Sequence, residues 1–243
     1  MTEKQTNDSG PAETLQILRT QSLTTVVFQE LERRIMEGEL LSGERINEKQ
    51  LAEEQGVSRG PIREACRRLE EAGLVEIKVN RGVFVRELKF IDLLEIYDIR
   101  AALFGFAGRV LARVVSMEQT EQLENLVERM RTYADEGNLE EYYPLNLEFH
   151  ATLMAFTNNK RLAKLYDGMN KELNLFRRQA LVAGKNISVS CDEHQDIVNA
   201  LRGGNPSKIA SAMRMHSLAG RNRLMRVVPS DEAKGFVGAW DED

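Results

Sequence analysis

Only three histidines occur in these 243 residues, and each sits in a segment whose apolar residues recur at helical spacing. His150 lies in line with Leu153 and Met154, with Asn146 one turn before it. His194 shares a stripe with Ile197, Val198 and Leu201, and His216 shares one with Ile209, Ala212, Met213 and Ala219. An imidazole turned toward a core needs a partner, because a buried unsatisfied polar group costs about 1–3 kcal/mol. Taken singly, each histidine reads as a hydrogen-bonded core residue. Taken together, all three would be satisfied by one divalent ion, such as zinc or nickel, if they converge, with Asn146 Oδ1 as a candidate fourth ligand at i, i+4 spacing.

Two arginines extend this chemistry to anions. Arg100 falls on the stripe of Ile96, Leu103, Phe104 and Ala107, so its guanidinium should point inward or snorkel, and an arginine is rarely buried without an anion. Its counterion is either a bound anion or a carboxylate side chain on a neighbouring helix; the sequence leaves both open. Arg177 is a second candidate anion clamp, although adjacent Arg178 shows how readily such a position is simply solvated.

A separate cluster of cations lies near the N-terminus. Arg59, Arg63, Arg67 and Arg68 follow Ser58 within one short helical pattern, giving four basic residues against the single acid Glu64, a local charge of +3. A planar guanidinium fork matches guanine edges or a phosphate, and a free helix N-terminus such as that at Ser58 also holds phosphate. A solvated basic face is the alternative. The order of elements decides for duplex DNA. Asn47 precedes one helix with Gln50 as capping partner, Gln55-Gly56 ends it, and Ser58 starts a second with Pro61 in its first turn and Ile62, Ala65, Leu69 and Ala72 facing inward. Residues 74–78 and 82–86 then flank the turn Val79-Asn80-Arg81 as a hairpin. The second helix is left projecting toward a major groove, and Arg81 beside Gly82 sits at a turn tip able to reach a minor groove.

The whole chain is acidic, at −5 net, and residues 22–90 hold 12 Lys and Arg against 13 Asp and Glu. DNA binding must therefore rest on the local cluster rather than on bulk charge. Its salt dependence should follow the number of phosphates contacted. A chain of 243 residues is long enough for one large or two modest domains, and 42% hydrophobic residues supports their cores. The fold class is mainly α: a winged helix-turn-helix followed by an all-α six-helix bundle. The boundaries read as a disordered lead-in over 1–21, the DNA-binding domain over 22–88, a helical ligand-binding and dimerisation domain over 90–228 and a flexible acidic tail over 229–243. The six bundle helices fall at about 90–115, 117–136, 139–157, 160–181, 189–202 and 206–228. Ser116 with Gln119 caps the second, and Asn205 with Pro206 opens the last. Cys66 and Cys191 show no metal-ligand spacing and read as reduced thiols of a cytoplasmic protein. No signal peptide or membrane-length apolar run is present.

The N-terminal segment resembles the DNA-binding domain of the GntR family of bacterial transcription regulators. The likeness rests on the Gly43 turn, Leu51-Ala52-Glu53, Gly56-Val57-Ser58-Arg59, Pro61-Ile62-Arg63-Glu64-Ala65, Leu69-Glu70, Gly73-Leu74-Val75 and Arg81-Gly82-Val83-Phe84-Val85. It implies base or phosphate contacts from Lys49, Ser58, Arg59 and Arg63, with Arg81 and Gly82 in the wing. Gly60 stands where the family carries threonine or a similar residue, which removes a side-chain contact there. The bundle resembles the FCD ligand-sensing domain of the FadR subfamily, whose metal-binding members carry Asp-x-x-x-His and two later single histidines. Asn146-x-x-x-His150, His194 in Glu193-His194-x-x-Ile197, and His216 match those places, and Asp98-Ile99-Arg100 matches a cavity-lining position. Six helices rather than seven match the shorter, VanR-like branch. Asn146 replaces an aspartate, leaving the site one negative charge short and making an anionic effector attractive as the missing ligand.

The expectation is a homodimeric, cytoplasmic transcription regulator, a repressor by family precedent. Its grip on a double-stranded DNA operator would be set by a small carboxylate effector bound with a divalent metal. It has no membrane role and is not an enzyme. Two alternatives are a metal-dependent enzyme fused to a DNA-binding module, with Glu148 or Glu193 as its only candidate base, and a constitutive DNA-binding dimer without metal or effector.

Overall fold

A computed structural model describes residues 22–181 and 187–226, with side chains described over 22–174 and 187–226. The expected lead-in and acidic tail lie outside the described residues. Among those described, nine helices and one three-stranded sheet divide into two units, one ending at Glu87 and the other beginning at Leu88.

In the first unit, the Ser22 hydroxyl accepts from Thr25 N at 3.2 Å and starts α1 (Leu23–Met36). Val27, Leu31 and Ile35 recur on one face of α1 and are buried, as are Ile62, Ala65, Cys66 and Leu69 of the helix it packs on, α3 (Arg59–Glu71). Emptying such a site, for example by Leu31→Ala, costs about 2–5 kcal/mol. Between them, α2 (Glu48–Glu54) is capped by Asn47 Oδ1, which accepts from Gln50 N at 3.2 Å. The tight exit from α2 uses Gly56 at φ +63°, a backbone region that costs glycine little. Ser58 occupies the N-cap position of α3 but makes no capping hydrogen bond with its side chain.

The sheet has the order β1-β3-β2, with β1 (Arg45–Ile46) and β2 (Val75–Lys78) both antiparallel to β3 (Gly82–Val85). Strand alternation sends Ile46, Val75, Val83 and Val85 into the core and leaves Arg45, Glu76, Lys78 and Phe84 on the outer face. The hairpin was legible in the sequence. β1 was not, because two residues are too few to display an alternation.

The second unit contains α4 (Phe90–Val114), α5 (Met117–Asp135), α6 (Leu139–Phe156), α7 (Lys160–Leu181), α8 (Ile187–Gly203) and α9 (Pro206–Met225). Leu88 packs beside Phe90, Leu93, Leu94 and Leu224 in this unit. Ser116 and Gln119 form the reciprocal capping box of α5, and Asn205 Oδ1 accepts from Ser207 N and Lys208 N ahead of Pro206. Helices α4 and α9 run together with backbones nearly touching: a Cβ on Gly108 would stand 2.8 Å from Cα of Ala210. Glycine is required there for closeness. That approach, together with α6, α7 and α8, surrounds a core in which Phe104, Phe149, Tyr166, Ile197 and Met213 are fully or almost fully buried.

Candidate functional site

The three histidines converge. His150 on α6, His194 on α8 and His216 on α9 are all buried, and each offers one ring nitrogen within 4.8 Å of the other two. Nε2 of His150 lies 3.4 Å from Nε2 of His194 and 3.3 Å from Nε2 of His216. Two zinc–nitrogen bonds of about 2.0–2.1 Å at a tetrahedral angle hold their nitrogens about 3.3–3.4 Å apart. The donor set and its spacing therefore fit a divalent ion. Asn146 is buried one turn before His150 on the same helix face, where the sequence placed it.

The ring orientations have identifiable causes. Glu193 Oε2 stands 2.9 Å from His216 Nδ1, and both Glu193 oxygens also accept from the Arg223 guanidinium. Burial pushes the His216 imidazole below the ordinary histidine range, outweighing the opposite pull of the Glu193 carboxylate. Burial alone would raise the Glu193 carboxyl, but hydrogen bonds from His216 and Arg223 hold it below the usual carboxylate range. A neutral His216 with Nδ1–H given to Glu193 directs the lone pair of Nε2 at the other histidines, the form a metal requires. Phe104 packs against this group, its ring centroid 5.3 Å from that of His150 and 6.2 Å from that of His216.

Arg100 adjoins the histidines through one residue. Its Nη2 donates to the Tyr166 hydroxyl at 2.9 Å, and that hydroxyl lies 3.2 Å from His150 Nδ1. The guanidinium is 1% exposed and lies over the rings of Tyr97 and Tyr166, at 5.4 and 4.9 Å. Its Nε and Nη1 have no hydrogen-bond partner, and it forms no ion pair among the described residues. The carboxylate nearest in sequence, Asp98, pairs instead with Arg221 at 3.0 Å. Of the two counterions the sequence left open, the side-chain one is thus not found among the described residues. Arg177 lies on α7, but its side chain is outside those described.

Neither carboxylate considered as a general base is free for that role. Glu148 is exposed on the side of α6 away from His150, and Glu193 is committed to His216 and Arg223. Tyr166 escaped the sequence reading. Its signal was the spacing Leu162-x-x-x-Tyr166-x-x-x-Asn170, a stripe that is buried throughout.

In the N-terminal unit, Ser58, Arg59 and Arg63 lie exposed at the start of α3, and Lys49 is exposed on α2. Arg63 stands 3.9 Å from Glu48 and Lys49 stands 3.8 Å from Glu53, loose surface pairs worth about 0–1 kcal/mol each. Arg59 has no ion-pair partner among the described residues. Arg68 behaves otherwise: half-buried, it donates to Thr25 Oγ1 at 3.2 Å and lies 4.6 Å over the Phe28 ring. The basic cluster is thus divided, with Arg68 serving the packing of α3 on α1. Arg81 is exposed at the wing tip, and Gly82 beside it adopts φ +107°. Both cysteines are buried free thiols, and burial pushes that of Cys66 up to about 12. No helix among the described residues is long and apolar enough to cross a membrane.

Comparison with known proteins places these sites in context. Residues 23–85 match the bacterial regulatory proteins of the gntR family, and residues 95–219 match the FCD domain. An uncharacterized HTH-type transcriptional regulator of Bacillus subtilis, YdhC, is 32% identical over 193 residues, spanning 79% of this chain and 84% of that one. The HTH-type transcriptional repressor RspR of Escherichia coli is 24% identical over 201 residues, spanning 83% and 88%. The solved structure of E. coli McbR/YncC superposes with a TM-score of 0.73 at 21% identity, covering 85% of this chain and 98% of the other. At that identity the likeness concerns the fold alone.

Proposed function

The chain is a transcriptional regulator of the GntR family with an FCD domain, and from that premise we propose that its hold on DNA is set by a small carboxylate bound in the C-terminal unit beside a divalent metal ion. Lys49, Ser58, Arg59 and Arg63 contact the operator, with Arg81 and Gly82 at the wing. His150, His194 and His216 hold the ion, with Asn146 at its side, and Arg100 receives the carboxylate. When bound, the ion supplies a second positive charge for an anionic ligand.

One observation carries this reading. Arg100 is a fully buried cation whose Nε and Nη1 are unpaired among the described residues, two hydrogen bonds away, through Tyr166, from the histidine cluster. A buried guanidinium without a counterion is strongly unfavourable. With no carboxylate from Asn146, the centre has an excess of positive charge that an acid ligand neutralises.

The regulator acts as a cytoplasmic homodimer. Ile99 and Phe106, seven residues apart on α4, and Met215 on α9 are each about half exposed and support an apolar contact between copies. A two-fold axis would present two recognition helices to two half-sites. Repression rather than activation follows relatives named as repressors, RspR among them. The effector changes DNA binding by favouring one arrangement of the DNA-binding units, a coupling of about 1–3 kcal/mol.

The test combines elemental analysis of the purified protein with thermal shift against a set of carboxylic acids at fixed zinc, then DNA binding with each acid that shifts. Metal at one per chain, a shift lost in Arg100→Gln and an altered DNA affinity are expected. No metal and no shift would leave a constitutive DNA-binding dimer.

A further inference from the structure

On the outer face of the wing sheet, Arg45 of β1 lies directly opposite Phe84 of β3, and its side chain reaches diagonally to Gly82. A Cβ at Gly82 would stand 3.0 Å from Arg45 Nε and 3.3 Å from Nη2. The bare glycine therefore does two things: it accepts φ +107°, and it leaves a niche in which the Arg45 guanidinium rests. Two other cations border the Phe84 ring on this face, Lys78 Nζ at 5.2 Å and the Arg81 guanidinium at 6.0 Å from its centre.

The charge on this face is unbalanced. Lys78 pairs with Glu76 at 3.1 Å, whereas Arg45 and Arg81 are both exposed and form no ion pair among the described residues. A guanidinium resting in a glycine niche loses little freedom when it takes up an anion, and its planar fork suits two phosphate oxygens. The face continues the wing tip, so its partner is the same nucleic acid.

We propose that Arg45 is a DNA-backbone contact of this regulator, seated by Gly82 so that it and Arg81 grip the sugar-phosphate chain from the wing. This rests on the wing reading given above for Arg81. Arg45 carries affinity rather than sequence preference, because a phosphate presents the same oxygens beside every base.

Fluorescence anisotropy over a range of salt concentrations tests this, with a mixed-sequence duplex and a duplex selected by the wild-type protein from a random pool. Arg45→Gln is expected to weaken both about equally, by roughly five- to tenfold near physiological salt, and to reduce the slope of log affinity against log salt by about 1. Arg45→Lys should keep most of the slope, and melting temperatures should confirm that both variants are folded. A folded Arg45→Gln with wild-type affinity and slope overturns the proposal. Arg81→Gln then separates the two failures: if it loses affinity, the wing reading stands and Arg45 alone is excluded. If it too is unchanged, the wing reading falls as well.

Discussion

Glu193 Oε2 stands 2.9 Å from Nδ1 of His216, and that contact decides which nitrogen of His216 faces the other two histidines. Arg223 holds the same carboxylate from its far side, so the acceptor is fixed before any ligand arrives. The consequence is a preformed centre. His216 needs no tautomer change to present Nε2, and the separations between His150 and its two neighbours already fit a tetrahedral ion.

Removing this brace should weaken the metal without touching a ligand. Glu193→Ala is expected to raise the zinc dissociation constant by about 10–100-fold, the usual penalty for losing a partner that orients a ligating histidine. Glu193→Gln keeps an acceptor for Nδ1–H but loses the charge, so it should fall between that variant and wild type. Competition with a chromophoric chelator measures all three. Equal affinities would show that His216 is held by packing alone.

Asn146→Asp should change sign with the metal. A carboxylate one turn before His150 adds a charged donor, and zinc affinity should rise by at least about tenfold. Without metal the same buried carboxylate has lost the ion's positive charge as its partner. The variant should therefore melt below wild type in chelator and above it in zinc. Melting below wild type in both would place the introduced carboxylate out of reach of the ion.

Much of this centre was legible because its parts share one helical period. His150, His194 and His216 could each be assigned to an apolar stripe, and Asn146 to the same face one turn earlier. What the stripes do not encode is rotation between helices, so convergence of the three nitrogens became visible only in the fold. Tyr166 was missed because its neighbours Leu162 and Asn170 make an ordinary stripe until Arg100 is seen to meet it from α4. β1 was missed for lack of length, and with it Arg45. Arg68 was misread as part of the exposed basic face because helical periodicity places it near the edge of the apolar stripe. Its bond to Thr25, 43 residues away, decides the matter.

Acid should destabilise the C-terminal unit through His216 and Glu193 together. Burial keeps the folded His216 neutral, while an unfolded histidine takes up a proton near its ordinary value of 6.5. Its contribution is therefore complete well above that pH and declines as the pH falls toward the folded value. Glu193, also lowered in the folded state, contributes above the ordinary 4.5 and loses that contribution as the pH falls through it. Both have the same sign. In chelator, melting temperature should be level above about pH 7.5 and fall from about pH 6.5 downward. His216→Asn should flatten the upper part of that decline. A wild-type profile level from pH 7.5 to 5.5 would contradict this account.

Arg63 and Arg68, five residues apart on α3, should separate DNA binding from stability. Arg63 is exposed with only a 3.9 Å pairing to Glu48, so Arg63→Gln should leave melting within about 0.5 kcal/mol of wild type. Its effect falls on DNA: binding to the selected duplex should weaken by about 1–3 kcal/mol if it reads a base. Arg68→Ala removes the bond to Thr25 and the cover over Phe28, which should cost about 1 kcal/mol or more of stability. At a temperature where the variant remains folded, its DNA affinity and salt slope should match wild type, since the side chain it removes faces α1. Parallel melting and anisotropy titrations decide between the two assignments. A normal melt with weakened DNA binding in Arg68→Ala would return that residue to the DNA-binding face.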